Sequence, residues 1–249
     1  MIAMAAVLAL LCPLFTRMLC PELTLVRPNF QKKPIPAATG LSFLLPLACY
    51  PPLWPAIAFG VLGLADDLWG NRTVGGFRGH LKSLFAGKPT TGSLKLFGGG
   101  TVALTYAGFL FPHKPLAIAV AAGVIALSAN TLNLLDLRPG RAFFGFGLLV
   151  LPAVVLAPLT FTDLWPLVIV LTIEWWADAR ASAMLGDTGS NLLGALAGIF
   201  LVQSLPLIGQ AVLVVFLLAL NLAAERLSLS VVIEKTRWLH WLDRRLGAR

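Results

Sequence analysis

Four short stretches of this sequence carry side chains able to do chemistry. Asp66-Asp67 is an adjacent carboxylate pair closing an apolar run. Like charges side by side are costly unless a cation sits near them, and Mg²⁺ is held by one or two carboxylates together with substrate phosphates. Taken alone, the pair is equally a solvated helix end. Asn130, Asn133 and Asp136 recur at a spacing of three, which puts them roughly on one helical face. Two amides and a carboxylate there suit a nucleobase edge, a ribose or a metal-bound water; the plainer reading is a polar exit turn. Gly186-Asp187-Thr188-Gly189-Ser190 opens another apolar run. Such residues cap helices, but a helix start also offers free N–H groups to anions, and an Asp beside Ser and Gly can hold Mg²⁺ against a diphosphate. The fourth stretch is basic. Lys32-Lys33 precedes Pro34, Lys82, Lys88 and Lys95 follow the carboxylate pair, and Arg138 and Arg141 follow Asp136. Lys33 and Lys95 stand out because they flank the acidic stretches. His240 lies between Trp238 and Trp241, where a phosphate ligand and an interfacial anchor are equal readings.

The elements that must position these residues are membrane helices. Of 249 residues, 58% are hydrophobic and 12% charged, against about 25% charged in soluble domains. Mean hydropathy is +0.85. A soluble domain of this size has too much surface to hide that apolar content. A bilayer-crossing helix needs about 20 apolar residues. The expected spans are 1–19, 94–111, 115–133, 142–160, 163–177, 191–204 and 208–228, with 39–66 forming a tight hairpin broken at Pro51-Pro52. The reading is an all-α, polytopic transmembrane bundle of about nine spans, one integral-membrane domain over 1–249. Cys12, Cys20 and Cys49 lie in or beside apolar runs and read as small buried hydrophobes.

Charge placement supports this arrangement. With the N-terminus outside, every Lys and Arg of the 19 except Lys114 falls on the cytoplasmic side, as the positive-inside bias requires. The net charge of +8 then needs no nucleic acid. Asp66, Asp67, Asp136, Asp178 and Asp187 gather on the same side, while Glu174, inside a span, should face the bundle. A transporter more often sets its ionisable groups at the bilayer midplane. Acids on one face suit an enzyme joining a water-soluble donor to a lipid head group, with the active site cytoplasmic.

Taken in order, these stretches resemble the polyprenyl-phosphate N-acetylhexosamine-1-phosphate transferase family, which includes the phospho-MurNAc-pentapeptide translocase and the GlcNAc-1-phosphate transferases. The matching pieces are Lys33-Pro-Ile-Pro-Ala-Ala-Thr-Gly40, Ala65-Asp66-Asp67, Asn130-x-x-Asn133-Leu-x-Asp136 and Leu185-Gly-Asp-Thr-Gly-Ser190. The resemblance implies a plasma-membrane enzyme that transfers a sugar 1-phosphate, N-acetylhexosamine by expectation, from a UDP-sugar to a polyprenyl phosphate such as undecaprenyl phosphate. UMP is released and a lipid-linked cell-wall or surface-glycan precursor begins. Asp66, Asp67 and Asp187 would be catalytic, with Asp187 and Asp67 on Mg²⁺ (Mn²⁺ as the alternative ion). Lys33, Lys95, Asn130, Asn133, Asp136, Arg138, Arg141, Ser190 and His240 would bind substrate; a homodimer is compatible with the pattern. The chain departs from the family where a second Asp is usual and Pro139 stands, flanked by Arg138 and Arg141, and where a His-rich loop is reduced to His240. A non-catalytic lipid-linked-sugar transporter or scaffold derived from the family is the alternative reading.

Overall fold

Apolar runs in this chain become helices, and proline sets several of their starts. Pro55, Pro115 and Pro166 occupy the first turn of their helices, where a missing N–H costs nothing and φ is already helical. The computed structural model describes residues 1–29, 31–70, 79, 83, 90–157 and 163–248; Lys82 and Lys88 fall outside them. The order is α1 (Ile2–Glu22), strands β1 (Val26–Pro28) and β2 (Pro34–Pro36), α2 (Leu44–Ala48), α3 (Trp54–Trp69), α4 (Thr91–Leu110), α5 (Pro115–Leu135), α6 (Arg141–Leu156), α7 (Trp165–Ala179), α8 (Gly186–Ser204), α9 (Leu207–Arg226), α10 (Leu229–Lys235) and α11 (Arg237–Leu246). Helices α1, α5 and α9 are long and apolar enough to cross a membrane.

Helix α8 is the axis of the bundle. Every residue from Thr188 to Val202 is buried, and α3, α5 and α6 pack around it. Contact with α5 depends on small residues. A Cβ on Gly194 would lie 2.4 Å from the Cα of Ala129, and one on Gly198 would lie 2.6 Å from the Cα of Ile125. Backbones approach this closely in membrane bundles because lipid supplies no hydrophobic drive to hold bulkier interfaces together. The outward faces are apolar instead of polar: Val7, Leu14, Ile208, Val215 and Phe216 are all exposed. Exposed apolar faces of this kind suit contact with a membrane.

Two parts of the chain differ from the sequence expectation. The hairpin at 39–66 turns at Pro51-Pro52, but its first arm is a 3₁₀ turn (Thr39–Phe43) followed by the five-residue α2, too short to cross alone. Its apex still reaches the end of the bundle where α7 begins, since the Tyr50 hydroxyl donates to the Asp163 carbonyl at 2.8 Å. The second difference is the antiparallel ribbon, with Val26 opposite Pro36 and Pro28 opposite Pro34, in an otherwise helical fold. Glu174 is fully buried and paired with Arg17 at 3.2 Å, facing the bundle as expected for an ionisable group on an apolar helix.

Candidate functional site

The ends of α3 and α4 meet the start of α8 around a group of carboxylates. Gly63 lets α3 lie directly on α8, for a Cβ there would sit 2.1 Å from the Asp187 carbonyl oxygen. Asp66 and Asp67, one turn further on, then divide their work. The Asp67 carboxylate accepts the backbone N–H groups of Asp187 at 3.1 Å and Thr188 at 2.8 Å, and the Thr188 hydroxyl at 2.6 Å. It thus caps α8 from another helix, satisfying donors that a helix start leaves free and placing negative charge at the positive end of its dipole. Gly186, with φ of +74°, makes the turn that aims those N–H groups at Asp67.

Asp66 turns the other way. Its Oδ2 accepts Lys95 Nζ at 3.1 Å, and the same ammonium meets Asp187 Oδ2. Asp66 and Asp187 are joined through Lys95, while Asp67, expected from the sequence on the metal with Asp187, is engaged with the backbone of Asp187 and Thr188. Asp187, which precedes the expected span 191–204, is pushed up to about 7 by burial and by the neighbouring Asp66, with Lys95 opposing. Asp136, just past α5, is raised well above the usual carboxylate range by burial and by Asp178, Asp187 and Asp67. Asp66 and Asp187 thus share Lys95, Asp67 holds the α8 backbone beside them, and the charges of Asp136 and Asp178 add to the same field. This hard-oxygen, anionic surround fits a divalent cation such as Mg²⁺. Among the described residues no three His, Cys, Asp or Glu enclose an ion by themselves; Mg²⁺ ordinarily completes its shell with water and phosphate.

The amide stretch does not act as one face. Asn133 Oδ1 accepts the Ser190 hydroxyl at 3.0 Å, tying α5 to the start of α8. Asn130 instead donates to Asn221 of α9, and Asn221 donates to Thr131 Oγ1 at 2.9 Å. At about 100° per residue, a spacing of three slips about 60° at each step, enough to send the two amides to different helices.

Backbone pairing joins two of the motifs read from the sequence. Met184 N–H donates to the Pro36 carbonyl at 2.7 Å, Thr39 N–H to Met184 at 3.1 Å and Gly40 N–H to Leu185 at 3.0 Å. The Lys33–Gly40 segment is thereby zipped against the chain entering α8. Lys33 is exposed in the ribbon turn, its N–H held by Asn29 Oδ1 at 3.0 Å. A cation that sequence reasoning passed over, Arg27, reaches the Asp67 carbonyl at 3.4 Å. Nothing in its local sequence distinguishes it from the other basic residues after the first span.

Arg138 and Arg141 meet negative charge from their own chain. Arg141 is buried and binds Asp243 of α11 through Nε at 2.5 Å and Nη2 at 3.0 Å, with Nη1 on Ser230 at 2.9 Å. Arg138, more exposed, lies 3.6 Å from Glu234 and lines a cavity of about 180 Å³ with Asn29, Leu137, Met184 and Ala248. His240 is half-buried on α11, the helix that carries Asp243. No protein-family model matches the chain, and no curated protein matches it.

Proposed function

We propose that this chain is a multi-pass plasma-membrane transferase with a cytoplasmic active site, built on about nine membrane passages including the hairpin. It would transfer a sugar 1-phosphate, N-acetylhexosamine by preference, from a UDP-sugar to a polyprenyl phosphate. The observation that carries the reading is the meeting of Asp66, Lys95 and Asp187, from three separate helices, at one end of a bundle whose outside is apolar. Asp187 with Asp66 would hold Mg²⁺, whose role when bound is to neutralise the donor diphosphate. Asp67 keeps the α8 start rigid, while Lys95 balances the carboxylates and is placed to meet a phosphate that displaces one of them. Asn133 and Ser190 lie beside this point for the sugar or ribose. Phosphoryl transfer mainly needs positioning and charge neutralisation. An acceptor phosphate monoester, with a second pKa near ~6, is ionised at neutral pH without a strong base. Its oxygen attacks the sugar-linked phosphorus, and UMP leaves.

The test is exchange of labelled UMP into UDP-sugars by the purified protein with Mg²⁺ and polyprenyl phosphate. Label should enter one UDP-sugar only when metal and lipid are both present. Absence of exchange across a panel of UDP-sugars would sink the enzyme reading. A lipid-linked-sugar transporter or scaffold is favoured by one observation: Lys95 already satisfies Asp66 and Asp187. Retained lipid-linked-sugar binding without exchange would select it.

A further inference from the structure

Helix α11 has two unlike sides. At about 100° per residue, Arg244, Arg237, Trp241, Arg245 and Trp238 fall within an arc of about 120°. All five are exposed, the two indoles at 58% for Trp241 and 66% for Trp238. The Arg245 guanidinium lies over the Trp241 ring at 4.6 Å. The acid of this helix, Asp243, is on the opposite side and is buried against Arg141. That opposite side is anchored again at its end, where Ala248 N–H donates to the Ala179 carbonyl of α7 at 2.6 Å.

The last turn of α7 shows what level of the molecule this is. Trp175 and Trp176 are exposed there, and Arg180 stacks over Trp176 at 3.7 Å. The hydrogen bond from Ala248 to Ala179 brings the ends of α7 and α11 together, and each of these helices carries an exposed Arg-on-Trp pair. Trp rings collect where acyl chains give way to head groups. Arginines interleaved with them at that depth face phosphate rather than bulk water.

We propose that α11 is a docking surface for anionic phospholipid, with Arg237, Arg244 and Arg245 binding head-group phosphates and Trp238 and Trp241 seated in the interface. Because its other side grips Arg141 at the start of α6, lipid held by α11 steadies the 137–141 loop beside Asp136. The surface stands independently of the transferase reading.

Hydrogen exchange tests it on the full chain in nanodiscs of phosphatidylcholine alone or mixed with phosphatidylglycerol. Amides of 237–246 should exchange about tenfold more slowly, or slower still, in the anionic discs, since each cation near such a surface contributes about a fivefold preference. The combined variant Arg237→Gln, Arg244→Gln, Arg245→Gln should lose that difference while its remaining helices exchange as in the parent. Asp243→Asn should speed exchange of α11 in both kinds of disc. Equal exchange of α11 in the two lipids overturns the proposal. So does a lipid difference that survives in the triple variant, or protection reproduced in neutral discs by inorganic phosphate.

Discussion

At the scale of single residues, adjacent carboxylates have been given different tasks by the direction each faces. Asp187→Asn should abolish UMP exchange, because a neutral amide is a poor Mg²⁺ ligand, and should leave the melting temperature within a few degrees. Near-parental exchange would remove Asp187 from the site. Burial and the neighbouring Asp66 push its carboxyl up to about 7. Proton and cation then compete for it: above that pH it is ionised and open to metal, and below it the proton must leave first. Mg²⁺ affinity in neutral detergent should therefore weaken as pH falls through 7, by at most about tenfold per unit for one displaced proton. Calorimetric titration at several pH values reads this directly, and a flat profile counts against Asp187 as ligand. Arg141 and Asp243 form a buried two-point ion pair. Removing one partner leaves the other charge stranded, so Asp243→Ala should cost about 3–5 kcal/mol in the hold on α11. Limited proteolysis between α9 and α11 should accelerate accordingly.

At the scale of elements, α8 is placed by side chains missing from its own surface and from α3. Gly63, Gly194 and Gly198 let α3 and α5 touch its backbone. Gly194→Val would force α5 away from α8, an overpacking cost of about 1–3 kcal/mol. A lower melting temperature is expected, with Asn133 and Ser190 pulled out of hydrogen-bond range and exchange activity reduced with it. An unchanged melting temperature would mean that α5 and α8 tolerate wider spacing than the contact implies. Helix extents at 94–111, 115–133 and 208–228 were legible in the sequence to within a few residues of α4, α5 and α9, because apolar length and proline mark them. The first arm of the 39–66 hairpin was not. A run of apolar residues looks the same whether it winds as one helix or as a 3₁₀ turn joined to a short helix, and Pro46 favours the broken form.

At the scale of the whole molecule, three helices among the described residues fit a membrane by length and composition, and the proposed nine-pass orientation rests on the charge pattern. A single cysteine at Lys114 should be labelled by an impermeant reagent in intact cells, and one at Arg138 only after permeabilisation. Both positions are exposed, so access reports sidedness rather than burial. Labelling of Arg138→Cys from outside would overturn the proposed orientation. Asp178 is a poorer reporter, since its buried carboxylate accepts the Gly140 N–H at 2.6 Å.

The sequence alone determined the solvent of this protein and the chemical types gathered in it. Composition limits where 58% hydrophobic residues can go, and the order of acidic, amide and glycine motifs survives any detail of packing. Which carboxylate faces which partner was decided only by tertiary structure. Asp66 and Asp67 are chain neighbours about 100° apart on α3, so the seat of that helix on Gly63 turns one toward Lys95 and the other onto the α8 backbone. Arg141 makes the same point. Its charge was plain in the sequence, but its anion, Asp243, lies a hundred residues along the chain, and only the return of α11 across the start of α6 brings the two together.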